Sequence, residues 1–479
     1  MERIIKDLEF SARRLEPDII ERKKLLGKVI GYCQEFLNDL PNLPSYHFTE
    51  DKGRDINNWP IVDEPGEIDN LLNLIKTNVD SPGLNPASGR HLGYIPGGGI
   101  FHSALGDFMA DITNRYAGVF FASPGAVRME NMLTNWMASI VGYPETAGGN
   151  LTSGGSIANL IGIVTARDAH SIKARDIEKT VVYMTAQAHH SIDKALRIGG
   201  LNECIRRLIP LDNSFRMKPE ELERAIIKDR NSGLNPWLIV ASAGTTDVGA
   251  VDPIVEIGQI SRKHNLWLHL DAAYGGFFIL CPSGKEVLKG LDKSDTIIMD
   301  PHKSLFLPYG SGAIIVKDKL KLLESHHYSA NYMQDTEASR EEFAPGDLSP
   351  ELSKHFRGLR LWLPLKLLGL RPFRDALEEK IQLSRYFYRE ISKLSGFELG
   401  PFPELSVVTF RYKPKSGDIN KFNKALLNEI QKGERVFISS TKLKNKFTLR
   451  LAVVSFRTHL DTIDELIEIL KEKVAFLTK

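Results

Sequence analysis

Two stretches decide the fold: LWLHLDAAY at residues 266–274 and TIIMDPHKS at residues 296–304. Each begins with a short apolar run and then changes to polar residues, which predicts a buried strand followed by a turn. Similar apolar runs alternate with helix-like stretches elsewhere, namely TVVYM at 180–184, WLIVAS at 237–242 and GAIIV at 312–316. The alternation predicts a mostly parallel sheet with crossover helices between about Asn150 and Lys317.

Reactive side chains follow most of these strands. In open α/β sheets, ligands bind beyond the carboxyl ends of the strands. The groups found there are His189 after TVVYM, Gly244-Thr245-Thr246 after WLIVAS, Asp271 after LWLHL, and Asp300-Pro301-His302-Lys303 after TIIM. Because such convergence is improbable in an inert sheet, we expect an active site at this edge.

Asp271 and Lys303 carry the strongest chemical signal. A carboxylate directly after an apolar strand needs a cationic partner, because burying it alone would be costly. A lysine on a turn among histidine and apolar neighbours is suited to imine formation. Taken singly, Asp271 could be a helix cap and Lys303 a surface residue. Together they predict pyridoxal 5′-phosphate (PLP), whose ring nitrogen a carboxylate keeps protonated.

The run NLTSGGSIAN at residues 150–159 predicts an anion site. It is a small-residue loop opening a helix that continues through Asp168, so free backbone N–H groups and the helix dipole can hold a phosphate. Close approach and hydroxyl donation come from Ser153, Gly154, Gly155 and Ser156. A turn with an ordinary N-cap is the alternative. The Gly-Lys-Ser/Thr ending of a nucleoside-triphosphate loop is missing.

Two adjacent histidines, His189 and His190, precede the helix-like stretch SIDKALRI. One of them can stack on a cofactor ring, and the other is then a solvated or capping residue. A structural role for both is the alternative, since buried histidines are commonly structural.

Composition bounds the class of protein. A chain of 479 residues with 25% charged and 42% apolar residues predicts a globular protein of two or three units. The net charge of +2 argues against a nucleic acid or an anionic membrane as partner, and favours a small molecule. Three widely spaced cysteines fit neither a disulfide framework nor a metal site. The charged N-terminus and short apolar runs predict no signal peptide, no membrane span and a cytoplasmic location.

The two ends of the chain differ from its centre. Residues 3–38 have apolar positions at helical spacing broken near Pro17, which predicts two amphipathic helices whose apolar faces need a partner surface. The Pro, Asn and Asp residues between Pro41 and Pro65 indicate a linker. After Arg371, helical stretches alternate with the strands SVVTFRY and FTLRLAVVS, which predicts a small α/β domain.

From about Pro96 onward, the chain resembles the group II PLP-dependent decarboxylases, the family of aromatic-L-amino-acid, histidine and glutamate decarboxylases. The matching segments are TSGGSIANL, AQAHHSIDKA, AGTTDVGAVDPI, HLDAAYGG, DPHKS, FRGLRLW and FTLRLAVVS. The resemblance implies an aspartate-aminotransferase-like α/β domain of fold type I at 91–370 and a small α/β domain at 371–479. It also implies a homodimer in which an N-terminal helical arm, residues 1–90, wraps over the other subunit.

The resemblance also implies roles for individual residues. Lys303 would be the Schiff-base lysine, Asp271 the partner of the pyridine nitrogen, and His189 the ring-stacking histidine. The other implied contacts are Gly155, Ser156 and His302 at the phosphate, Thr246 near the phenolic edge of the cofactor, and Tyr94 and Pro96 facing the substrate.

Two departures from the family pattern bear on function. Asp300 stands where the family usually has Asn, which places a negative charge near the phosphate. Gln334–Ser353 contains no tyrosine, although the family's decarboxylases protonate Cα with a tyrosine shortly before FRGLRLW. Tyr328 and Tyr332 are therefore the candidate proton donors, with His326 and His327 just upstream.

We expect decarboxylation of an L-amino acid to its amine and CO₂. One alternative is an aldehyde synthase or a carbon–carbon lyase acting at the same site, and another is a catalytically silent PLP-binding protein. Aromatic and acidic amino acids both remain open as substrates, because the sequence places no Arg or Lys in the side-chain pocket.

Overall fold

The computed structural model describes residues 1–328 and 342–479. Its N-terminal part contains helices α1 (Glu2–Ala12), α2 (Ile19–Asp39) and α3 (Ile68–Ile75), and the paired short strands β1 (Tyr46–His47) and β2 (Gly83–Leu84). The predicted break near Pro17 is confirmed. Asp18 begins α2 by accepting the N–H groups of Ile20 and Glu21, each at 2.8 Å. None of the residues in α1 or α2 is buried.

A seven-stranded sheet forms the centre of the molecule. Its strands are β3 (Gly148–Thr152), β4 (Thr180–Met184), β5 (Ile205–Leu208), β6 (Asn235–Ser242), β7 (Trp267–Asp271), β8 (Thr296–Met299) and β9 (Gly312–Val316). They lie in the order β3-β9-β8-β7-β6-β4-β5, and β9 runs antiparallel to both of its neighbours. The predicted mostly parallel sheet is confirmed.

Strand β3 corrects one sequence interpretation. The run of small residues predicts a loop over residues 150–152, yet these residues pair with β9 and are buried. The strand is rich in small residues because it lies close to its neighbour: a Cβ added to Gly149 would collide with the carbonyl of Ile314. The helix predicted to follow is confirmed.

Helices cover both faces of this sheet. They are α4 (Phe101–Thr113), α5 (Pro124–Val141), α6 (Gly155–Ala169), α7 (Ser191–Ile198), α8 (Pro219–Asn231), α9 (Ile254–Lys263), α10 (Pro282–Val287), α11 (Pro301–Ser304), α12 (Lys319–His326) and α13 (Arg357–Leu368). Successive strand residues enter opposite cores: Val181 and Tyr183 pack in the core that includes residues of α5, α8 and α9, while Val182 packs with α6 and α7. A sheet buried on both faces explains why its strands are almost continuously apolar.

The C-terminal part is a smaller α/β unit, as predicted. It contains α14 (Arg371–Ser392), β10 (Phe397–Leu399), β11 (Val407–Tyr412), α15 (Ile419–Lys432), β12 (Ser439–Leu443), β13 (Lys446–Ala452) and α16 (Leu460–Leu477). The strands form an antiparallel sheet in the order β10-β11-β13-β12. Leu92 joins this unit, since it exchanges backbone hydrogen bonds with Phe437 (2.7 Å) and Ala452 (2.9 Å). Within residues 1–328 and 342–479, no helix is long and apolar enough to cross a membrane.

Candidate active site

A cavity of about 290 Å³ opens at the carboxyl edge of the parallel strands. It is lined by the turns after β4, β6, β7 and β8 and by the start of α6, as the position of the polar motifs predicted. The predicted residues that it brings together are Ser153, Gly154, Gly155, Ser156, His189, Thr246, Asp271, Asp300, His302 and Lys303.

The start of α6 supplies backbone donors to this cavity. Within the described chain, no side chain caps the helix at Gly154. The N–H of Ile157 bonds to the carbonyl of Gly154 at 3.1 Å, so the N–H groups of Gly155 and Ser156 are the ones open to a ligand. A Cβ added to Gly155 would lie 2.8 Å from Oδ2 of Asp300, which explains why a glycine stands there. An uncapped helix start with a glycine turn suits a phosphate.

Lys303 faces the cavity from the short helix α11. Its Nζ lies 3.0 Å from Oδ2 of Asp300, and a quarter of the lysine side chain is exposed. Asp300 is buried, and its Oδ1 has no hydrogen-bond partner among the described residues. His302 lies beside the same carboxylate, with Nε2 3.8 Å from Oδ2. Burial lowers the pKa of His302, and the charge of Asp300 partly opposes that effect.

Asp271 ends strand β7 and lies at the cavity. Its Oδ1 accepts the backbone N–H of Ala273 at 3.2 Å, and its Oδ2 accepts the side-chain amide of Asn159 at 3.2 Å. Both contacts are donated to the carboxylate. Because an ionised carboxylate can only accept hydrogen bonds, we expect a ligand group that meets Asp271 in the cavity to be a donor, such as a protonated nitrogen.

His189 lies in the turn after β4, with its ring centroid 4.0 Å from that of His190. Its Nδ1 lies 2.7 Å from the hydroxyl of Ser191. Burial lowers the pKa of His189, while the nearby Asp271 acts in the opposite direction. The lowered pKa favours a neutral imidazole near pH 7.

The remaining predicted residues lie elsewhere. Tyr94 is about half-exposed, is not among the described residues that line the main cavity, and has its ring 5.8 Å from that of Phe437. Pro96 lines an adjoining cavity of about 190 Å³, which shares His302 with the first. Tyr328 is 91% exposed. Tyr332 lies outside the described residues, so its role stays a prediction.

Sequence reasoning missed several polar residues of the cavity. They are Asn159, Gln187, Ser191, Ser242 and Tyr274. Asn159 is the last residue of the NLTSGGSIAN run, and it stands four residues after Gly155 on α6 and thus on the same helix face. The spacing within the motif was the signal that could have found it.

A lysine and a carboxylate at the carboxyl edge of a mostly parallel sheet, beside an open helix start, define a PLP-dependent enzyme of fold type I. The model of the pyridoxal-dependent decarboxylase conserved domain matches residues 56–413. The chain therefore belongs to the pyridoxal-dependent decarboxylase family, whose members are PLP-dependent carboxy-lyases acting on amino acids.

Individual relatives agree with this assignment. The chain is 34% identical to an aromatic-L-amino-acid decarboxylase of Bacillus atrophaeus, over 84% of this chain and 82% of the relative. It is 27% identical to a phenylacetaldehyde synthase of Arabidopsis thaliana, over 87% and 88% of the two chains. The fold is similar to the crystal structure of Oryza sativa TDC with PLP and tryptamine, with a TM-score of 0.91 and 23% identity, covering 97% of this chain and 99% of the other.

Proposed function

We propose that this chain removes the α-carboxylate of an L-amino acid as CO₂ and releases the amine. The observation that carries the proposal is that Lys303, Asp271 and the open start of α6 line one cavity. These are the three groups that PLP needs: an amine, a partner for its ring nitrogen and a phosphate site.

The residues present fit the cofactor. Lys303 would hold it covalently, Asp271 would pair with its ring nitrogen, and the turn of Ser153–Ser156 would bind its phosphate. The buried Oδ1 of Asp300, which has no partner among the described residues, marks a polar position that a ligand group or water can fill. Asp300 also brings a negative charge to the cavity, so we expect phosphate binding to be weaker than with a neutral residue there.

The cofactor, when bound, withdraws the electron pair left at Cα as CO₂ departs. The chain then has to orient the substrate and return a proton to Cα. Tyr274 is the one tyrosine among the described residues lining the cavity, and its hydroxyl is engaged by the hydroxyl and the backbone N–H of Ser406. Among that lining, Lys303 and His189 are therefore the proton donors that we propose besides Tyr332, since Tyr328 is 91% exposed and does not line the cavity.

We propose an aromatic amino acid as the substrate. Lys303 is the one Lys or Arg among the described residues that line the cavity, so an acidic side chain would find no cation dedicated to it. The relative of Bacillus atrophaeus, an aromatic-L-amino-acid decarboxylase, supports the same choice.

A second candidate function is aldehyde synthesis on the same site. The relative named phenylacetaldehyde synthase favours it, as does the absence of tyrosine from residues 334–353. If no phenol protonates Cα promptly, oxygen can attack there, and aldehyde, ammonia and peroxide replace the amine.

One screen tests these proposals together. The holoenzyme is offered each of the twenty amino acids, CO₂ release is measured, and amine, aldehyde, ammonia and peroxide are identified by mass spectrometry and peroxidase assay. Amine from an aromatic amino acid is the expected result. Bound PLP without CO₂ from any amino acid would identify a catalytically silent binding protein, and product cleaved at another bond would identify a lyase.

We further propose a homodimer, with residues 1–90 as the arm between subunits. The first helices expose apolar side chains that a single chain leaves uncovered, including Ile4 (64%), Leu8 (66%) and Phe10 (82%). Sedimentation should give a dimer, and removal of residues 1–39 should shift it toward monomer. The three cysteines are unpaired, which is compatible with the predicted cytoplasmic location.

A further inference from the structure

A continuous chain of hydrogen bonds runs beneath the cavity and ends at both Asp271 and His189. Its members are buried and come from β7, β8, α6 and α7, namely Trp267, Thr296, His269, Asn159 and Ser191. Trp267, Thr296 and His269 are not among the described residues that line the cavity. This series of hydrogen bonds thus connects the proposed cofactor contacts to side chains that a ligand in the cavity would not touch.

The two ends of this series of hydrogen bonds fix its direction, since an indole N–H only donates and the carboxylate of Asp271 only accepts. The indole Nε1–H of Trp267 can only donate, and it donates to Oγ1 of Thr296 at 3.0 Å. The hydroxyl hydrogen of Thr296 is then available to Nδ1 of His269, 2.8 Å away. Burial lowers the pKa of His269 to about 4, so the ring is neutral near pH 7. With Nδ1 accepting, the ring carries its proton on Nε2.

His269 in turn orients Asn159. Its Nε2–H donates to Oδ1 of Asn159 at 2.8 Å, which places the amide nitrogen on the opposite side. That nitrogen has two hydrogens and divides them between Oδ2 of Asp271 (3.2 Å) and Oγ of Ser191 (2.8 Å). Both hydrogens of the Asn159 amide nitrogen and its Oδ1 therefore have a partner in this network.

Ser191 sets the position of the proton on His189. Because its oxygen accepts from Asn159, its hydroxyl hydrogen is free to donate to Nδ1 of His189 at 2.7 Å. The backbone N–H of Ser191 points to the same Nδ1 at 3.3 Å. His189 therefore carries its proton on Nε2.

Helix α6 makes room for this arrangement. A Cβ added to Gly162 would lie 2.6 Å from Cε1 and 2.9 Å from Nδ1 of His269. A glycine at this position lets the helix that carries Asn159 pass directly over the imidazole. The same helix begins at the proposed phosphate site, so one element carries both features.

We propose that Thr296 and His269 are positioning residues, which act through Asn159 to fix the acceptor face of Asp271 and the proton position of His189. The inference rests on the proposed PLP-dependent function. It predicts that cofactor binding and turnover respond to a hydroxyl that no ligand in the cavity contacts.

Thr296→Val tests the proposal with almost no change in shape. It removes the hydroxyl and leaves His269 without the donor to Nδ1, whereas Thr296→Ser retains that donor. Thr180→Val is the matched control, because Thr180 is equally buried in the same sheet and its hydroxyl donates to the carbonyl of Ile177 at 2.7 Å. All three proteins are compared with wild type.

We expect Thr296→Val to weaken PLP binding about tenfold and to lower kcat about tenfold with KM within about twofold. Nitrogen NMR of the cofactor-free protein should show the Nδ1 resonance of His269 shifting downfield in this variant, because that nitrogen loses its hydrogen-bond donor while the proton stays on Nε2. Thr296→Ser should restore wild-type values, and Thr180→Val should not alter them. If Thr296→Val matches Thr180→Val in cofactor affinity and in the His269 spectrum, the proposal is overturned.

A second pair of variants covers the case in which Thr296→Val does not fold. His269→Gln can still donate an amide N–H to Asn159, and we expect it to bind PLP nearly as wild type does, whereas His269→Leu should bind about tenfold more weakly. Equal affinity of the two variants would overturn the proposal. Wild-type protein that releases no CO₂ would instead refute the proposed function, because the NMR and affinity measurements do not depend on turnover.

Discussion

Lys303 and Lys354 each pair with a buried carboxylate, yet they differ in what else they contact. Nζ of Lys303 lies 3.0 Å from Asp300, and the lysine side chain is 25% exposed at the cavity. Nζ of Lys354 lies 2.8 Å from Oε2 of Glu130, and its side chain is fully buried. Lys354 also donates to Oδ1 of Asn150 (2.8 Å) and to the carbonyl of Leu151 (3.0 Å).

The difference separates an anchor from a reactive group. An ammonium has three hydrogens. Lys354 donates two of them to Asn150 and Leu151 of β3, and its charge pairs with Glu130 of α5, so it holds its segment against both elements. The segment is held again by Glu130, whose Oε1 accepts the N–H of Gly358 at 3.1 Å. Lys303 has one charged partner among the described residues and retains donors toward a cavity. Burial and an ion pair are common to both lysines, so unused hydrogen-bonding capacity is the feature that marks the functional one.

The largest expected effect comes from removing Lys303. Lys303→Ala should lower turnover by on the order of 10³-fold or more and abolish the visible absorbance of the lysine-bound cofactor. Borohydride reduction followed by peptide mapping should place the pyridoxyl group on Lys303 in wild type and on no residue in the variant. A label on another lysine, Lys354 included, would refute the assignment of Lys303 as the reactive lysine.

Removing Lys354 should instead destabilise the fold. Lys354→Ala leaves the buried charge of Glu130 uncompensated, so the free energy of unfolding should fall by about 3–5 kcal/mol. Urea denaturation measures the loss, and the double variant Lys354→Met, Glu130→Gln should recover most of it. Borohydride should still label Lys303 in the folded protein. A single variant as stable as wild type would show that this ion pair is not an anchor.

The two lysines also show what the sequence could predict. Lys303 follows a clear apolar strand within a motif, and the sheet with its edge of polar turns was predicted from such runs. Lys354 stands in SKHF, with no pattern around it, and its partners Glu130 and Asn150 are distant along the chain. The same limit hid the hydrogen bonds of His269 to Thr296 and Asn159, because hydrogen bonds between elements depend on packing that local periodicity does not encode.

A smaller effect, on the affinity for PLP, is expected from changing Asp300, the carboxylate that pairs with Lys303. Asp300→Asn removes a negative charge beside the proposed phosphate site, so the dissociation constant of PLP should fall about tenfold, which corresponds to about 1.4 kcal/mol. Fluorescence titration of the cofactor-free protein measures it, and the double variant Lys354→Met, Glu130→Gln, in which the anchored pair carries no charge, serves as the control. Weaker binding by Asp300→Asn would mean that the carboxylate matters more for orienting Lys303 than for repelling phosphate.

The smallest effect is expected at Tyr328. This tyrosine follows α12 on one side of residues 329–341, while Lys354 anchors the chain on the other side. The ring is 91% exposed and is not among the described residues lining the cavity, so it has no contact there through which to deliver a proton. Tyr328→Phe should therefore keep the rate and the ratio of amine to peroxide within about twofold of wild type.

Tyr332→Phe completes this measurement, because Tyr332 lies outside the described residues and its role stays a prediction. If Tyr332→Phe shifts the product from amine to aldehyde and peroxide while Tyr328→Phe does not, Tyr332 is the donor. If neither variant changes the product ratio, the proton comes from Lys303, His189 or water. Were Lys303 the donor, it would both hold the cofactor and protonate Cα. A shift with Tyr328→Phe would contradict the expectation, because a phenol that is exposed in the structure would then have to reach Cα during turnover.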